Sequence, residues 1–149
     1  MPPELCLIDS NILIRWVKRD SADYAVVGNA VKRIVDSGLV LCYTSQNLGQ
    51  FCNVLTRPAD RNGYGFRPEQ AEQRAEDVET AFRLLPDSPA VHTVWRQLLT
   101  AHRISGVQVH DARLVASMLV HQVPRILTYN TRDFQRFGMI TAIHPLQLI

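Results

Sequence analysis

Five short runs of apolar residues are spaced along the chain, and none is long enough for a helix. Runs of this length without polar alternation are typical of parallel strands that helices cover on both faces. The pattern therefore predicts a central, mostly parallel sheet of about four or five strands, of which the run at 82–85 is the weakest. The predicted strands are 5–8, 39–43, 82–85, 125–128 and 139–143.

The segments between these runs have helical spacing. Ser88 and Pro89 mark one helix start, because a serine oxygen accepts from free N–H groups and proline fits the first turn. A second apolar face lies within 111–119. Alternating strands and helices predict an α/β three-layer sandwich with right-handed crossovers, as one domain over 1–149. One apolar stripe is formed by Ala71, Ala75, Val78 and Phe82.

A segment with a different composition interrupts this alternation at 57–68. It contains two prolines, two glycines and three arginines, and we interpret it as an ordered loop between two helices. Its arginines alternate with Tyr64 and Phe66, which suits single-stranded nucleic acid: cations meet phosphates and rings meet bases. A solvated loop, or a contact with a second subunit, explains the same residues.

Composition narrows the choice of class. The 149 residues are 46% apolar and 20% charged, a composition typical of globular proteins and not of disordered ones. A net charge of +2 does not by itself indicate a nucleic-acid-binding protein. Three cysteines in apolar stretches, with no zinc spacing, predict buried thiols in a reducing compartment. The N-terminus lacks a basic n-region and no apolar run is long enough for a membrane span, so we expect a cytoplasmic protein without a membrane partner.

Three aspartates stand beside the predicted strands. Asp9 ends the first strand, Asp111 opens the helix before the fourth, and Asp133 follows that strand closely. Because ligands of open α/β sheets bind outside the carboxyl ends of the strands, these carboxylates are expected to converge there. Such a cluster needs a cation, and oxygen ligands indicate Mg²⁺ or Mn²⁺. The alternatives stay open: Asp9 caps a helix that begins at 10 or 11, Asp111 caps one that begins at 112, and Asp133 makes a turn hydrogen bond.

Four stretches carry a resemblance that covers nearly the whole chain. They are LIDSNILI at 7–14, NLGQFCNVLTRP at 47–58, HDARLVA at 110–116 and ILTYNTRDF at 126–134. Each motif is weak alone, but together and in this order they resemble PIN-domain proteins, and among them the VapC-type toxins of bacterial toxin–antitoxin pairs. The resemblance implies a PIN-like fold and a Mg²⁺- or Mn²⁺-dependent endoribonuclease that acts on RNA and is held inactive by a cognate antitoxin.

The resemblance also assigns site residues. It places metal-binding acids at Asp9 and Asp111, and a last acidic position at Asp133 or Asn130. We favour Asp133 as the charged group and Asn130 as an orienting contact, because only the aspartate brings a charge. The second acid of the family is usually Glu, and here it is Gln50. Glutamine keeps the length and one oxygen but loses the charge, which predicts a weakened site.

Further residues are expected around these acids. Ser10 and Asn11 adjoin Asp9 and are expected to orient it, while Arg113 is expected to contact a substrate phosphate. We also expect a homodimer, whose contacts would include the 57–68 loop and the apolar faces near Trp95 and Phe82. The alternative to an enzyme is a catalytically degenerate PIN domain that binds RNA or a protein without cleaving, and Gln50 is the feature that favours it.

Overall fold

Five parallel strands form one sheet in the computed structural model, which describes residues 2–148. The strands are β1 (Leu5–Ile8), β2 (Val40–Thr44), β3 (Arg83–Leu85), β4 (Arg125–Leu127) and β5 (Thr141–Ile143). Their order across the sheet is β3-β2-β1-β4-β5. The central strand β1 pairs on both sides, with Cys6 opposite Leu41 and Arg125.

Helices cover both faces of this sheet. On one face lie α1 (Ser10–Val17), α2 (Tyr24–Asp36), α3 (Ser45–Thr56) and α4 (Pro68–Ala81). On the other lie α5 (Pro89–Ala101) and α6 (Gln108–Val120). Three short 3₁₀ helices complete the chain, at Ala59–Arg61, Thr131–Phe134 and Pro145–Leu148. The predicted α/β three-layer sandwich is confirmed.

Burial on both faces of the sheet explains why the strands are unbroken apolar runs in the sequence. Cys6 and Ile8 point into the cluster formed with α1 to α4, whereas Leu7 between them points into the cluster formed with α5 and α6. All three are fully buried. Both faces of β1 therefore lie in the core. A polar residue at any of these positions would be buried, which is unfavourable, so the strand does not alternate between apolar and polar residues.

Local signals set the helix starts that the sequence predicts. Ser88 accepts a hydrogen bond from the Val91 N–H, and Pro89 occupies the first turn of α5. Thr44 and Asn47 form a reciprocal capping box at α3, in which each side chain accepts from the other residue's backbone. This box joins the end of β2 directly to the helix that carries Gln50.

Several boundaries differ from the sequence-based expectation. The helix α2 was not predicted, and α6 begins at Gln108, so Asp111 lies inside its first turn and does not cap it. The last strand is shorter than 139–143 because Met139 is in an exposed turn. Cys6 and Cys42 are buried as expected, Cys52 is partly buried, and all three thiols are free. No helix within residues 2–148 is long and apolar enough to cross a membrane.

The 57–68 loop is ordered, as predicted, and folds back along the end of α3. The N–H groups of Tyr64 and Phe66 donate to the carbonyls of Val54 and Leu55, and the Gly65 N–H donates to that of Arg57. The rings of Tyr64 and Phe66 are half-buried against the core.

Two basic side chains lie on the aromatic rings beside α1. Lys18, which follows α1, places its Nζ 4.0 Å from the Tyr64 ring centroid. Arg15 packs over the Tyr129 ring and pairs with Asp23 at 3.1 Å. Arg15 is therefore engaged in contacts within the protein.

Candidate active site

The strand order creates a crevice at the carboxyl edge of the sheet. From β1 the chain crosses to β2 on one side, while β4 pairs with β1 on the other. Ligands of open α/β sheets bind where the strand order reverses in this way, outside the carboxyl ends of the two strands. The crevice is therefore bordered by residue 9 after β1 and by residues 128–133 after β4.

Asp9 is fixed at the centre of this crevice. It is the N-cap of α1, and its Oδ1 accepts from the Ser10 N–H at 2.7 Å. Its Oδ2 accepts from the Thr128 hydroxyl at 2.8 Å and from Asn11 Nδ2 at 3.5 Å. The side chain is 6% exposed. Asp9 is thus both the cap that the local sequence predicts and a carboxylate held between β1 and β4.

Thr128 is the link between the two strand ends. Its O–H donates to Asp9, and its oxygen accepts from Asn11 Nδ2 at 3.2 Å and from the Asn130 N–H at 3.0 Å. The Asn11 Oδ1 in turn accepts from the Tyr129 N–H at 3.2 Å. These bonds give Asn11 and Thr128 defined positions on either side of the Asp9 carboxylate.

Asp111 and Asp133 reach the same crevice from other elements. Asp111 lies in the first turn of α6, and Asp133 lies in the Thr131–Phe134 helix just after β4. Both are partly exposed. The structure therefore brings the three predicted aspartates from three separate segments to one edge of the sheet.

Neighbouring negative charges act on two of these carboxylates, Asp9 and Asp111. Burial raises the pKa of Asp9, the hydrogen bonds from Thr128 and Ser10 oppose that rise, and the charge of Asp133 adds to it. Burial likewise raises the pKa of Asp111 to about 6, with further contributions from the charges of Asp9 and Asp133. Crowded like charges destabilise one another, so this edge of the sheet favours a cation.

Gln50 joins the site through Ser10. Its Oε1 accepts from the Ser10 hydroxyl at 3.1 Å, and that hydroxyl oxygen is 3.5 Å from Asp9 Oδ1. Gln50 is partly exposed on α3. The amide that stands at the usual Glu position is therefore one side chain removed from Asp9.

The remaining predicted residues lie at the rim. Asn130 is exposed, and its backbone N–H donates to Thr128. Arg113 donates to Gln46 Oε1 at 3.3 Å and pairs with Asp87 at 3.1 Å. Neither Thr128 nor Gln46 was identified as a site residue from the sequence, although Thr128 ends the predicted strand 125–128 and lies within a resembling motif.

The donor set suits a hard divalent cation. Within residues 2–148, no three His, Cys, Asp or Glu side chains are arranged to enclose a metal ion. Mg²⁺ characteristically uses only one or two carboxylates and keeps several waters, so a complete protein cage is not required. Carboxylate and amide oxygens without sulfur or imidazole fit Mg²⁺ or Mn²⁺.

Solved structures of similar fold come from toxin–antitoxin systems. VapBC2 from Rickettsia felis, bound to a DNA fragment from its promoter, is 12% identical with a TM-score of 0.71, and the match covers 94% of this chain and 98% of that one. FitAcB from Neisseria gonorrhoeae is 16% identical with a TM-score of 0.67, covering 95% and 98%. VapC20 from Mycobacterium tuberculosis, described as a Sarcin-Ricin loop cleaving toxin, is 17% identical with a TM-score of 0.66, covering 89% and 95%. At these identities the likeness shows a shared fold.

The sequence comparison is more specific. No curated protein matches the chain. The model of the PIN domain family matches residues 6–139, which run from β1 to the turn before β5 and include every aspartate of the crevice. Since this match spans nearly the whole sheet and all the elements that carry the acids, the chain belongs to the PIN domain family.

Proposed function

We propose that this protein is a Mg²⁺- or Mn²⁺-dependent endoribonuclease and the toxin of a toxin–antitoxin pair. The observation that carries the proposal is the convergence of Asp9, Asp111 and Asp133 at the carboxyl edge of the sheet, where the charge of Asp133 raises the pKa of Asp9, and the charges of Asp9 and Asp133 raise that of Asp111. Membership of the PIN domain family supports nuclease chemistry. The likeness to VapC20, a Sarcin-Ricin loop cleaving toxin, supports a nucleic-acid loop as the kind of substrate, and the likeness to the VapBC2 complex supports a bound antitoxin.

Carboxylates drawn from Asp9, Asp111 and Asp133 would hold the cation, with waters completing its coordination. When bound, such an ion polarises a phosphodiester and lowers the pKa of a coordinated water. The protein's own contribution is placement: Thr128 and Ser10 hold the Asp9 carboxylate in one orientation by bonds of 2.8 and 2.7 Å. Asn130, which is exposed, would orient the substrate.

Gln50 sets the expected strength of the site. Its oxygen accepts from the Ser10 hydroxyl, so it supports the Ser10–Asp9 arrangement but adds no charge. A glutamate here would keep that hydrogen bond. With an effective dielectric near 20, a glutamate charge at an assumed separation of about 5 Å from a bound dication would have a gross attraction of roughly 6–7 kcal/mol.

The net gain from that charge is smaller than the gross attraction. Desolvation and repulsion from the three aspartates offset most of it, and a net gain of about 1–3 kcal/mol remains. This corresponds to roughly a ten- to a hundred-fold change in rate.

The test is cleavage of a generic single-stranded RNA with Mn²⁺ by the wild type and Gln50→Glu. Gln97→Glu, which adds the same charge on the exposed side of α5, is the matched control, and Asp111→Asn is the inactive control. We expect Gln50→Glu to cleave faster and Gln97→Glu to match the wild type. Equal, robust, Asp111-dependent cleavage by the wild type and Gln50→Glu would show that position 50 does not limit the reaction.

A second function is favoured by the same glutamine. A PIN domain that binds RNA or a protein without cleaving it would need no charge at position 50. Gln50 already accepts a hydrogen bond from Ser10. Absence of cleavage by both forms, together with no Mn²⁺ binding in calorimetry, would support this function. The toxin proposal instead predicts a short adjacent reading frame whose product copurifies with the protein and suppresses cleavage.

A further inference from the structure

Three side chains join α3, the turn after β3 and α6 into one connected chain of contacts. Gln46 Nε2 donates to the His110 carbonyl at 2.8 Å, and Gln46 Oε1 accepts from Arg113 Nη1 at 3.3 Å. Arg113 Nη2 then pairs with Asp87 Oδ1 at 3.1 Å. We call Gln46, Arg113 and Asp87 the clamp.

The clamp connects two sides of the candidate active site. Gln46 lies in the first turn of α3, the helix that also carries Gln50. On α6, His110 directly precedes Asp111, and Arg113 follows it by two residues. The clamp therefore holds the peptide on both sides of Asp111, and it attaches that peptide to the helix across the crevice.

The start of α6 is also tied to α5, where Trp95 Nε1 donates to the Val109 carbonyl at 2.9 Å, but that bond does not connect α6 to α3 across the crevice. The N-cap residue of α6, Val107, makes no side-chain capping bond and is 82% exposed, and Gly106 before it has a φ of +67°. α6 also packs on the opposite face of the sheet from α1 and α3, so the core does not link these helices directly. Repulsion from Asp9 and Asp133 acts on Asp111 in the direction that opens the crevice.

We propose that Gln46, Arg113 and Asp87 are positioning residues that hold Asp111 opposite Asp9. The inference rests on the proposed function, because it concerns the same site. It also replaces the role in phosphate binding that the sequence suggests for Arg113. Two of its guanidinium nitrogens already have protein partners, and a phosphate at that place would meet the Asp87 carboxylate.

Asp87→Asn distinguishes the two roles of Arg113 by the direction of its effect. If the clamp positions Asp111, weakening the Arg113 ion pair lowers kcat about 3- to 10-fold and leaves the KM for RNA unchanged, since small misplacements of a catalytic group slow the reaction. If Arg113 instead binds phosphate and Asp87 restrains it, the same change frees Arg113 and lowers KM. A lower KM would overturn the clamp.

Variants of the other two residues test the same idea. Gln46→Met removes both of its bonds and is expected to lower kcat about 3- to 10-fold, with partial recovery in Gln46→Glu, which still accepts from Arg113. Arg113→Met is expected to leave the salt dependence of RNA binding, measured by anisotropy in EDTA, equal to that of the exposed-site control Arg96→Met. A loss of one phosphate contact would instead reduce the slope by about 0.7 relative to that control, and would overturn the proposal.

A measurement without catalysis separates this inference from the proposed function. Hydrogen exchange of the amides at 111–115 is expected to be faster in Gln46→Met and Asp87→Asn than in the wild type and Arg96→Met. Unchanged exchange would refute the clamp even if the enzyme cleaves RNA. Conversely, a wild type that cleaves no RNA, or cleaves it without needing Asp111, refutes the proposed function, and the clamp is then judged by exchange alone.

Discussion

Replacing Asp111 with Asn is expected to stabilise the folded protein at neutral pH while it removes cleavage. Burial, followed by the negative charges of Asp9 and Asp133, raises the pKa of Asp111 to about 6. The ionised carboxylate is therefore less favourable in the folded protein than in the unfolded chain. An amide of the same shape carries no charge to repel the neighbouring aspartates.

The size of the effect follows from the pKa. A rise from 3.8 to about 6 corresponds to roughly 3 kcal/mol at most. Because Asp111 is only partly buried, solvent screening reduces this to about 1–2 kcal/mol. For a domain of this size the melting temperature of the variant should rise by roughly 3–8 °C.

The raised pKa also determines how the stability gain of Asp111→Asn changes with pH. The folded protein holds the Asp111 proton more tightly than the unfolded chain, so ionisation costs nothing well below the ordinary pKa of 3.8. The destabilisation grows as the pH rises towards 6 and is complete above it. Urea unfolding in EDTA should therefore show a large gain for Asp111→Asn near pH 7.5, and a smaller one near about pH 4.5.

Two comparisons make this experiment decisive. Asp77→Asn removes a carboxylate that is exposed on α4 and paired with Arg74 at 3.0 Å, and should change stability by no more than about 0.5 kcal/mol. Mn²⁺ should stabilise the wild type more than Asp111→Asn, because it binds the folded site. A variant less stable than the wild type near neutral pH, or a gain equal at both pH values, would refute the reasoning.

Three further outcomes are expected. Thr128→Val should lower the free energy of unfolding by about 2–3 kcal/mol in urea, because the buried Asp9 carboxylate loses its 2.8 Å hydroxyl donor, and Thr128→Ser should retain most of the stability. Gly63→Ala should cost about 2 kcal/mol or more, since the added carbon would collide with the Arg57 carbonyl, whereas Gly49→Ala has nothing within 4 Å and should gain up to about 1 kcal/mol. Light scattering at micromolar concentration should give a dimer of the 16.9 kDa chain.

For each of these three predictions, one result would contradict it. Equal stability of Thr128→Val and Thr128→Ser would show that the hydroxyl does not support Asp9. Equal effects of alanine at 63 and 49 would show that the close approach to Arg57 is relaxed in solution. A species of 17 kDa alone would argue against the homodimer.

The sheet was predictable because of how it is buried. Strands with helices on both faces must be apolar throughout, and Cys6, Leu7 and Ile8 are fully buried. The edge strand β3 gave the weakest signal because Arg83 and Leu84 are exposed.

Helix α2 was missed although its apolar positions have helical spacing. Its buried residues follow the pattern i, i+3, i+4, i+7, at Val27, Ala30, Val31 and Ile34. Gly28 and the β-branched valines lower its intrinsic helix propensity, so packing against the sheet decides its conformation.

The candidate site was only partly predictable. The aspartates could be predicted as site residues because they stand at the ends of predicted strands and helices. Asp9 both caps α1 and lies in the crevice. The cap alternative for Asp111 was wrong because α6 begins earlier, at Gln108. Thr128 and Gln46 could not be predicted as site residues because their hydrogen-bond partners lie 119 and 64 positions away along the chain. Such contacts leave no periodic pattern in the sequence.

The 57–68 loop has a consequence for any partner that approaches this side of the molecule. Its backbone donors at Tyr64, Gly65 and Phe66 are already bonded to carbonyls at the end of α3, and Lys18 lies on the Tyr64 ring. The segment is therefore preorganised, and a partner that binds it loses little chain entropy in ordering it.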